Sequence, residues 1–213
     1  MIAFMGLGVV FAIARWSTPR VHSSGERASI DEFLPSYHFL ERHQIVIAAP
    51  ADRVFTAIKA TTADEIGLFN LFTWIRRGGR PGPESILNAP GRQPLLDVAV
   101  KSGFLLLQER APSETIVGAI VVAPPGTRRP ASFTAEDFKQ LTAPGFALAA
   151  MNFRVEALSA TTSRVVTETR VHATDDVALA RFTPYWRIIF PGSSILRATW
   201  LRAIKTRAER TGS

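Results

Sequence analysis

Few of the residues able to do chemistry are brought together by their spacing. The four histidines, His22, His38, His43 and His172, form no HxxxH, HxH or HExxH motif, so a zinc site is not predicted. Cysteine is absent from the sequence, which excludes thiol catalysis and disulfides. Neither a glycine-rich phosphate loop nor a GxSxG nucleophile motif occurs. We therefore expect no catalytic residue, no cofactor and no metal.

Two polar pairs allow both a catalytic and a structural interpretation. Asp175 and Asp176 follow a predicted strand and precede a predicted helix, a position that favours helix capping over acid–base work. Glu168 and Arg170 fit an exposed ladder of ion pairs with Arg154 better than a polar site, and such pairs contribute only about 0–1 kcal/mol each. Removing the charge of Glu168 is therefore expected to cost little stability.

Several of these residues lie on two predicted strands, 146–158 and 163–173, in which apolar and charged side chains alternate. A hairpin turn across 159–162 would pair the two strands and turn one face inward. The predicted inner face is apolar or carries hydroxyls and contains Met151, Phe153, Val155, Ala157, Val165, Thr167, Thr169 and Val171. The predicted outer face is polar and contains Asn152, Arg154, Glu156, Arg164, Glu168, Arg170 and His172.

Further elements are predicted before this hairpin. A strand should begin near Glu41, and a short helix should follow Pro50. Two more strands are predicted at 103–110 and 114–123, and a short helix capped by Thr134 should follow them. The chain therefore mixes helices with mostly consecutive strands, which is typical of an α+β domain.

The last predicted helix begins at Ser193 or Ser194, because Pro191 and Gly192 should separate it from an earlier segment at 177–190. Its apolar stripe contains Leu196, Thr199, Trp200, Ala203 and Ile204. A helix with a single stripe of this kind is expected to lie on a sheet, with its charged side chains toward water.

A second helix is predicted from Ala63 to Ile75, because Thr62 and Glu65 have the spacing of a capping box. Its apolar residues, spread over all sides, are Ile66, Leu68, Phe69, Leu71, Phe72, Trp74 and Ile75. Such a helix is buried all round, or one face meets a ligand, a bilayer, a partner or the following loop. We expect a lid whose Phe69, Phe72 and Trp74 contribute to the mouth of a cavity.

Residues 1–15 are predicted to be an apolar leader, since 14 uncharged residues precede Arg15. The run is shorter than the roughly 20 residues of a membrane-spanning helix. A short membrane anchor is favoured, and a poor secretion signal or a misplaced start stays open. The arginines after the run would keep the domain in the cytoplasm. Residues 16–40 are predicted to be a linker, and residues 41–210 a single domain.

The chain is basic, with a net charge of +7 from 25 Lys and Arg against 18 Asp and Glu residues. Hydrophobic side chains make up 46% of its 213 residues, enough for one domain with a sizeable core plus an extension. A basic surface attracts anionic lipid or nucleic acid, but solvated arginine side chains are the favoured interpretation. No nucleic-acid partner is expected.

Short motifs spread over residues 41–210 resemble those of one family. They are Gly103-Phe104 with Glu109, Ile116-Val117-Gly118, Pro144-Gly145, Asn152-Phe153, Glu168 to Val171, Phe182 with Tyr185-Trp186, and Pro191-Gly192-Ser193 with Ile195 and Arg197. Together they are similar to the START-like, helix-grip superfamily, also called SRPBCC or polyketide cyclase/dehydrase-like, and to an uncharacterised bacterial group within it. One departure follows Gly118, where an aromatic residue is expected and Ala119 stands instead.

The resemblance implies an α+β, helix-grip fold in which a curved antiparallel sheet wraps around a long C-terminal helix. It also implies an apolar pocket. It implies no assigned reaction. The candidate lining residues are Phe69, Phe72, Trp74, Phe104, Phe153, Val155, Thr167, Thr169, Leu196 and Trp200.

The predicted function is non-catalytic binding of an apolar or amphipathic small molecule, with lipids among the candidates. The alternatives are an enzyme of cyclase or hydrolase type on the same fold and a membrane-tethered interaction module. An ionisable side chain that points into a cavity would favour the enzyme, whereas a filled core would favour the interaction module. Strand alternation places the polar candidates of the hairpin outside the cup.

The anchor hypothesis is testable by fractionation. If residues 1–15 hold the chain at a membrane, the full-length protein should sediment with membranes, because the apolar run would be inserted in the lipid. A chain that begins at Ser29 should then stay in the supernatant and keep its fold, measured by thermal melting. Equal distribution of both chains between the two fractions would contradict the anchor.

Overall fold

The computed structural model describes residues 29–67, 91–128, 130 and 132–210, together with the backbone of 13–14 and 22–23. Its strands are β1 (Ile13–Ala14), β2 (His22–Ser23), β3 (Ser36–Tyr37), β4 (Phe39–Ile47), β5 (Leu105–Arg110), β6 (Glu114–Val122), β7 (Ala147–Ser159) and β8 (Thr162–Ala173). An antiparallel sheet of six strands has the order β1-β4-β8-β7-β6-β5, and β2 pairs separately with β3.

The helices of the described residues are α1 (Ala51–Ala60), α2 (Leu95–Lys101), α3 (Ala135–Gln140) and α4 (Asp176–Glu209), with single 3₁₀ turns at Ser29–Glu32 and Ala63–Glu65. Helix α4 follows the last strand and packs against β4 and α1. A curved antiparallel sheet around a long C-terminal helix is the START-like, helix-grip fold, so the predicted α+β class is confirmed. The predicted strands around the hairpin, α1 and α3 are also confirmed, with small shifts of their ends.

The main hydrophobic core lies between the concave face of the sheet and the C-terminal part of α4. Phe153 and Val155 of β7 pack there with Trp200 and Leu201 of α4, and the rings of Phe153 and Trp200 meet edge to face with centroids 4.9 Å apart. Opposite them in β8, Val165 pairs with Val155. The predicted alternation of the hairpin is therefore confirmed, because its inner side chains face α4.

A second hydrophobic layer covers the convex face of the sheet. Ile30, Phe33 and Leu34 pack there with Phe138 of α3 and with strand residues that include Leu107, Ile116 and Leu148. Gly118 provides the space, since a Cβ atom at that position would lie 2.7 Å from Leu107 Cδ1. Residues 29–37, which we predicted to be linker, thus contribute to the core, and the wider division of the chain into leader, linker and domain stays a prediction.

This layer changes the environment of the polar residues on the outer face. The side chain of Arg170 is only 3% exposed and forms ion pairs with Asp31 and with Glu168, the latter at 2.9 Å. Its guanidinium also donates to the carbonyl of Leu34. The expectation that Glu168 and Arg170 lie in an exposed ladder is wrong at this end of the hairpin, because residues 29–37 cover it.

The expected exposed ladder does exist nearer the hairpin turn. Glu156 accepts from Arg154 at 2.6 Å and from Arg164 at 3.2 Å, and all three side chains are about one-third exposed. The two ends of the same polar face therefore differ in burial, although their sequences look alike.

Helix α4 runs without interruption through Pro191 and Gly192, so the predicted helix start at Ser193 or Ser194 is wrong. Its 34 residues correspond to a length of roughly 50 Å at 1.5 Å per residue. The predicted cap at the strand–helix junction is confirmed, because Asp175 accepts from the backbone N–H of Ala178 at 2.7 Å.

Two features allow the helix to continue past its prolines. Proline leaves the carbonyl four residues earlier without a helical partner, but Pro184 and Pro191 are seven residues apart and both exposed, so the freed carbonyls can bond to water. The helix is also held on both sides of Pro191. Before it, Trp186 lies 5.4 Å from the Phe39 ring, and after it Trp200 packs in the main core.

The leader and the lid are only partly described. Ile13 and Ala14, inside the predicted leader, pair with Arg42 and Glu41 at the edge of the sheet. The carboxylate of Glu65 accepts from the Thr62 N–H at 2.9 Å, so the predicted capping contact is present, and up to Gly67, where the described residues end, a 3₁₀ turn follows it. Phe69, Phe72, Trp74 and the rest of the lid beyond Gly67 lie outside the described residues.

No helix of the described residues has the length and apolar character needed to cross a membrane.

Val155→Asp should destabilise the fold severely, by several kcal/mol, because an unpaired carboxylate would enter the main core. Leu158→Asp is the matched control, since Leu158 lies on the same strand and is 46% exposed. Chemical denaturation measures both. Similar losses for the two variants would contradict the assignment of the inner face.

Glu168→Gln should cost about 1–3 kcal/mol, because it removes the charge that accepts from the buried guanidinium of Arg170. This replaces the smaller cost expected from an exposed ladder. Glu156→Gln, in the exposed part of the ladder, should cost about 0–1 kcal/mol. Urea unfolding of the two variants gives the comparison, and equal small losses would show that the layer over Arg170 contributes nothing.

Candidate functional site

The concave face carries a polar cluster between β4 and α4. Along β4, the buried inward positions are Phe39, Glu41, His43, Ile45 and Ile47, so two ionisable residues lie between apolar ones. Glu41 and His43 are almost fully buried. Across from them, α4 contributes Ser193, Ser194 and Arg197. Buried ionisable groups of this kind are uncommon in a core and are candidates for function.

Glu41 is the acceptor at the centre of the cluster. Its Oε1 lies 2.9 Å from Nε2 of His43, and its Oε2 accepts from the hydroxyl of Ser193 at 2.9 Å. Each carboxylate oxygen therefore has one donor, one from the strand and one from the helix. The Ser193 bond joins α4 to β4, and the His43 bond holds the carboxylate in place on its own strand.

The cluster does not form a catalytic triad. In a triad, one ring nitrogen of histidine faces the nucleophile and the other faces the carboxylate. Here Nε2 of His43 faces both, at 2.9 Å from Glu41 and 3.5 Å from the hydroxyl of Ser194. The same nitrogen cannot donate to Glu41 and accept a proton from Ser194, so the geometry provides no activated serine.

Arg197 lies one helical turn further along α4, on the same face as Trp200, Leu201 and Ile204. Its guanidinium donates to the Thr169 hydroxyl at 2.8 Å and contacts the sulfur of Met151. The guanidinium carbon also lies 5.7 Å from the Phe153 ring centre and 5.5 Å from that of Trp200. Burial lowers the pKa of Arg197 from its ordinary value, and the negative charge of Glu41 acts in the opposite direction.

Three buried polar atoms have no hydrogen-bond partner in the part of the chain that the structure describes. They are Nδ1 of His43, Oγ1 of Thr115 and Nε1 of Trp200. Thr115 belongs to the same concave side, since it pairs in register with Phe153, and all three residues are at least nine-tenths buried. Buried polar groups are normally satisfied, so three exceptions on one side of a sheet indicate a place for a bound molecule or ordered water.

A cleft of about 210 Å³ opens at the β5–β6 end of the concave side. Its lining comprises Lys59, Leu96, Asp97, Val100, Lys101, Leu106, Thr115 and Val117. Apolar side chains form the walls, and the charged residues come from α1 and α2. The rim is held by an ion pair of 2.5 Å between Lys59 and Glu109. The cleft therefore has an apolar interior with a polar edge.

Two strands, β7 and β8, lie between the cleft on β6 and the β4 side of the polar cluster, and Arg197 of the cluster reaches over both of them. Thr115 and Val117 of the cleft pair with Phe153 and Met151 of β7, whose side chains both contact Arg197. Adjacent strands are about 4.8 Å apart. A molecule that extends from the cleft across β7 would therefore reach the guanidinium.

The structure places the described candidate lining residues on this side of the sheet or against its core. Phe153, Val155, Thr167 and Trp200 are buried, Thr169 bonds to Arg197, and Phe104 and Leu196 pack against the main core. Their role as ligand contacts stays a prediction. Phe69, Phe72 and Trp74 lie outside the described residues.

Sequence reasoning missed the ionisable groups inside the cup. The expectation that the polar candidates all lie outside is correct for Glu168 but overlooked Glu41, His43 and Arg197. A signal was present for each of them. Glu41 and His43 share the parity of Ile45, and Arg197 stands three residues before Trp200 on the apolar stripe.

A second cleft of about 340 Å³ lies on the convex side, between residues 33–36, the end of α3 and β8. Its lining includes Leu34, Leu148, Lys139 and His172. Partial burial lowers the pKa of His172, and a hydrogen bond to the backbone of Ser36 acts in the opposite direction. This cleft belongs to the outer layer and does not reach the concave site.

Within the described residues, no group of three or more His, Cys, Asp or Glu side chains is placed to hold a metal ion.

Comparison with known proteins gives similarity of fold at low identity. No family model and no curated protein sequence matches the chain. A conserved protein from Geobacillus kaustophilus is 10% identical, with 80% of this chain and 95% of that protein covered and a TM-score of 0.39. The Zhui aromatase/cyclase from a Streptomyces species is 16% identical, with 80% and 93% covered and a TM-score of 0.32. A START superfamily protein from Mycobacterium smegmatis is 11% identical, with 80% and 97% covered and a TM-score of 0.30.

Likeness of this degree supports no statement about activity. The START-like fold follows from the architecture of the chain itself, and the function has to be argued from its own residues.

Thr115→Val should leave stability unchanged or raise it by about 1 kcal/mol, because the buried hydroxyl has no partner to lose. Thr167→Val should destabilise by about 1–3 kcal/mol, since its hydroxyl donates to the Asn152 carbonyl at 2.6 Å. Both threonines are about 1% exposed, so the pair is well matched. Thermal and chemical unfolding measure the difference, and a large loss for Thr115→Val would mean that its hydroxyl is satisfied in the free protein.

Proposed function

We propose that this chain binds an apolar or amphipathic small molecule on the concave side of its sheet and does no covalent chemistry on it. The observation that carries the proposal is the cleft at the β5–β6 end, where apolar walls and the unpartnered hydroxyl of Thr115 share one space. Apolar lining with a few well-placed polar groups is typical of small-molecule sites.

The size and polarity of the site support an amphipathic ligand. About 210 Å³ is below the roughly 300–1,000 Å³ of drug-sized sites, so the cleft suits a narrow apolar group. The polar cluster on β4 and α4 suits a polar end.

The interaction-module alternative fits the described residues less well. It predicts a filled core, whereas the concave side has a cleft and three unsatisfied buried polar atoms. Unsatisfied polar groups reduce stability unless something binds them. A ligand site explains both observations together.

Native mass spectrometry of the purified full-length chain should show a retained small molecule, and an environment-sensitive apolar dye should bind and be displaced by fatty acids. Leu106→Trp should weaken dye binding about 10-fold or more, because the larger side chain fills the cleft that Leu106 lines. Leu106 is 45% exposed, so the substitution adds volume without a large cost to the core.

Leu158→Trp is the control for this test, since Leu158 is also a strand leucine, is 46% exposed and lies away from the cleft. Its dye affinity should match that of the unmodified chain. A chain that retains no small molecule and binds no apolar dye would contradict the proposal, as would equal weakening by the two substitutions.

A second candidate function, acid–base catalysis on the bound molecule, is favoured by one observation. Nε2 of His43 donates to Glu41, so in the neutral ring the free lone pair is on Nδ1, which has no partner among the described residues. A buried, unoccupied imidazole nitrogen held by a carboxylate is a reasonable general base.

His43→Gln separates the two functions, because the glutamine amide can still donate to Glu41 while the Nδ1 lone pair is lost. If the chain only binds, the unmodified protein and His43→Gln expressed in the same cells should retain the same molecule. If His43 catalyses a reaction, the variant should retain the substrate and the unmodified protein the product. Mass spectrometry of the extracted molecules decides between these outcomes.

A further inference from the structure

Arg197 is a buried cation without an anionic contact. Its side chain is about nine-tenths buried, and within the described residues no carboxylate lies inside ion-pair distance of it. A guanidinium carries five N–H donors. Two acceptors meet them here, the hydroxyl of Thr169 and the sulfur of Met151, and both are neutral. A charge in this position is normally paired, because its desolvation is costly.

Glu41 does not supply the missing contact. Its negative charge acts on Arg197 electrostatically, but both of its oxygens are engaged elsewhere, one by His43 and one by Ser193. The two buried charges therefore balance each other at a distance. The donors of Arg197 therefore have neutral acceptors only and no anionic one among the described residues.

A second donor beside Arg197 has no acceptor at all among the described residues. The indole Nε1 of Trp200 is buried and has no acceptor among the described residues, and the Trp200 ring centre is 5.5 Å from the guanidinium carbon. Indole nitrogen only donates. A cation with only neutral acceptors beside an indole N–H without one suits a group with several acceptor oxygens and a negative charge.

We propose that the ligand of this chain is an amphipathic anion whose acidic oxygens accept from Arg197 and Trp200, with its apolar part directed across β7 toward the cleft lined by Leu106 and Val117. This inference rests on the proposed binding function and names the ligand class. The rings of Phe153 and Trp200 hold the guanidinium by cation–π contacts, which use none of its N–H donors. The donors that do not bond to Thr169 or Met151 can therefore bond to the anion.

Three probe molecules test the acidic group and the apolar chain of the ligand separately. Laurate carries both an apolar chain and a carboxylate, dodecan-1-ol carries the chain alone, and acetate carries the head alone. At pH 8, laurate should bind about 10- to 100-fold more tightly than dodecan-1-ol, as expected for charge-assisted hydrogen bonds from the protein. Acetate should bind too weakly to measure. Dye displacement and calorimetry on the full-length chain give the affinities.

Three variants connect the preference for an anion to the named donors. Arg197→Gln should reduce laurate affinity about 10- to 100-fold while dodecan-1-ol affinity changes less than about 2-fold. Trp200→Phe keeps a ring in the core and removes the N–H, so it should reduce laurate affinity several-fold without affecting dodecan-1-ol. Arg202→Gln is the control, since Arg202 is exposed on the same helix, and it should change neither affinity.

The outcomes distinguish this inference from the function on which it rests. Equal affinities of the unmodified chain for laurate and dodecan-1-ol would overturn the anion assignment and leave the binding proposal standing. Equal weakening of both probes by Arg197→Gln would do the same. Binding of neither probe by the unmodified chain would overturn the binding proposal and this inference with it. If Arg197→Gln does not fold, the laurate preference and Trp200→Phe still decide the question.

Discussion

The packing of α4 along β4 is the contact on which the concave side depends. Near the C-terminal end of the helix, Trp200, Leu201 and Ile204 are buried against the inner side chains of the sheet. Polar contacts set its position. Ser193 bonds to Glu41 and Arg197 bonds to Thr169, which ties the helix to two adjacent strands. Hydrophobic burial is tolerant of small sliding movements, whereas these directional bonds are not.

Much of the fold could be predicted because local patterns and tertiary packing agree in it. The hairpin of β7 and β8 alternates cleanly, so its inner residues, such as Phe153 and Thr167, followed from a period of two. Asp175 and Thr134 have the side chains and spacing of helix caps and act as caps. In each case the signal lies within a few residues of the feature that it predicts.

The errors arose where distant residues decide the outcome. The continuity of α4 at Pro191 depends on Phe39 and on the solvent exposure of the proline, neither of which its neighbours reveal. Arg170 looked like an exposed strand residue, and only the fold shows that Asp31 covers it. The polar cluster had a local signal, since Glu41 shares the parity of Ile45, but its carboxylate meets its partner Ser193 only when α4 is placed against the strand.

The order of the strands also has a consequence for biosynthesis. β4 is among the first strands of the sheet to leave the ribosome, yet its main neighbours are β8, which pairs Phe39 with Val171, and α4. Until those C-terminal elements are translated, the alternating apolar face of β4 has no native surface to bury it. Contacts between the ends of a chain form slowly, and an unpaired strand is prone to aggregate meanwhile. A nascent chain of this topology is therefore a natural client for a chaperone that holds apolar segments until synthesis is complete.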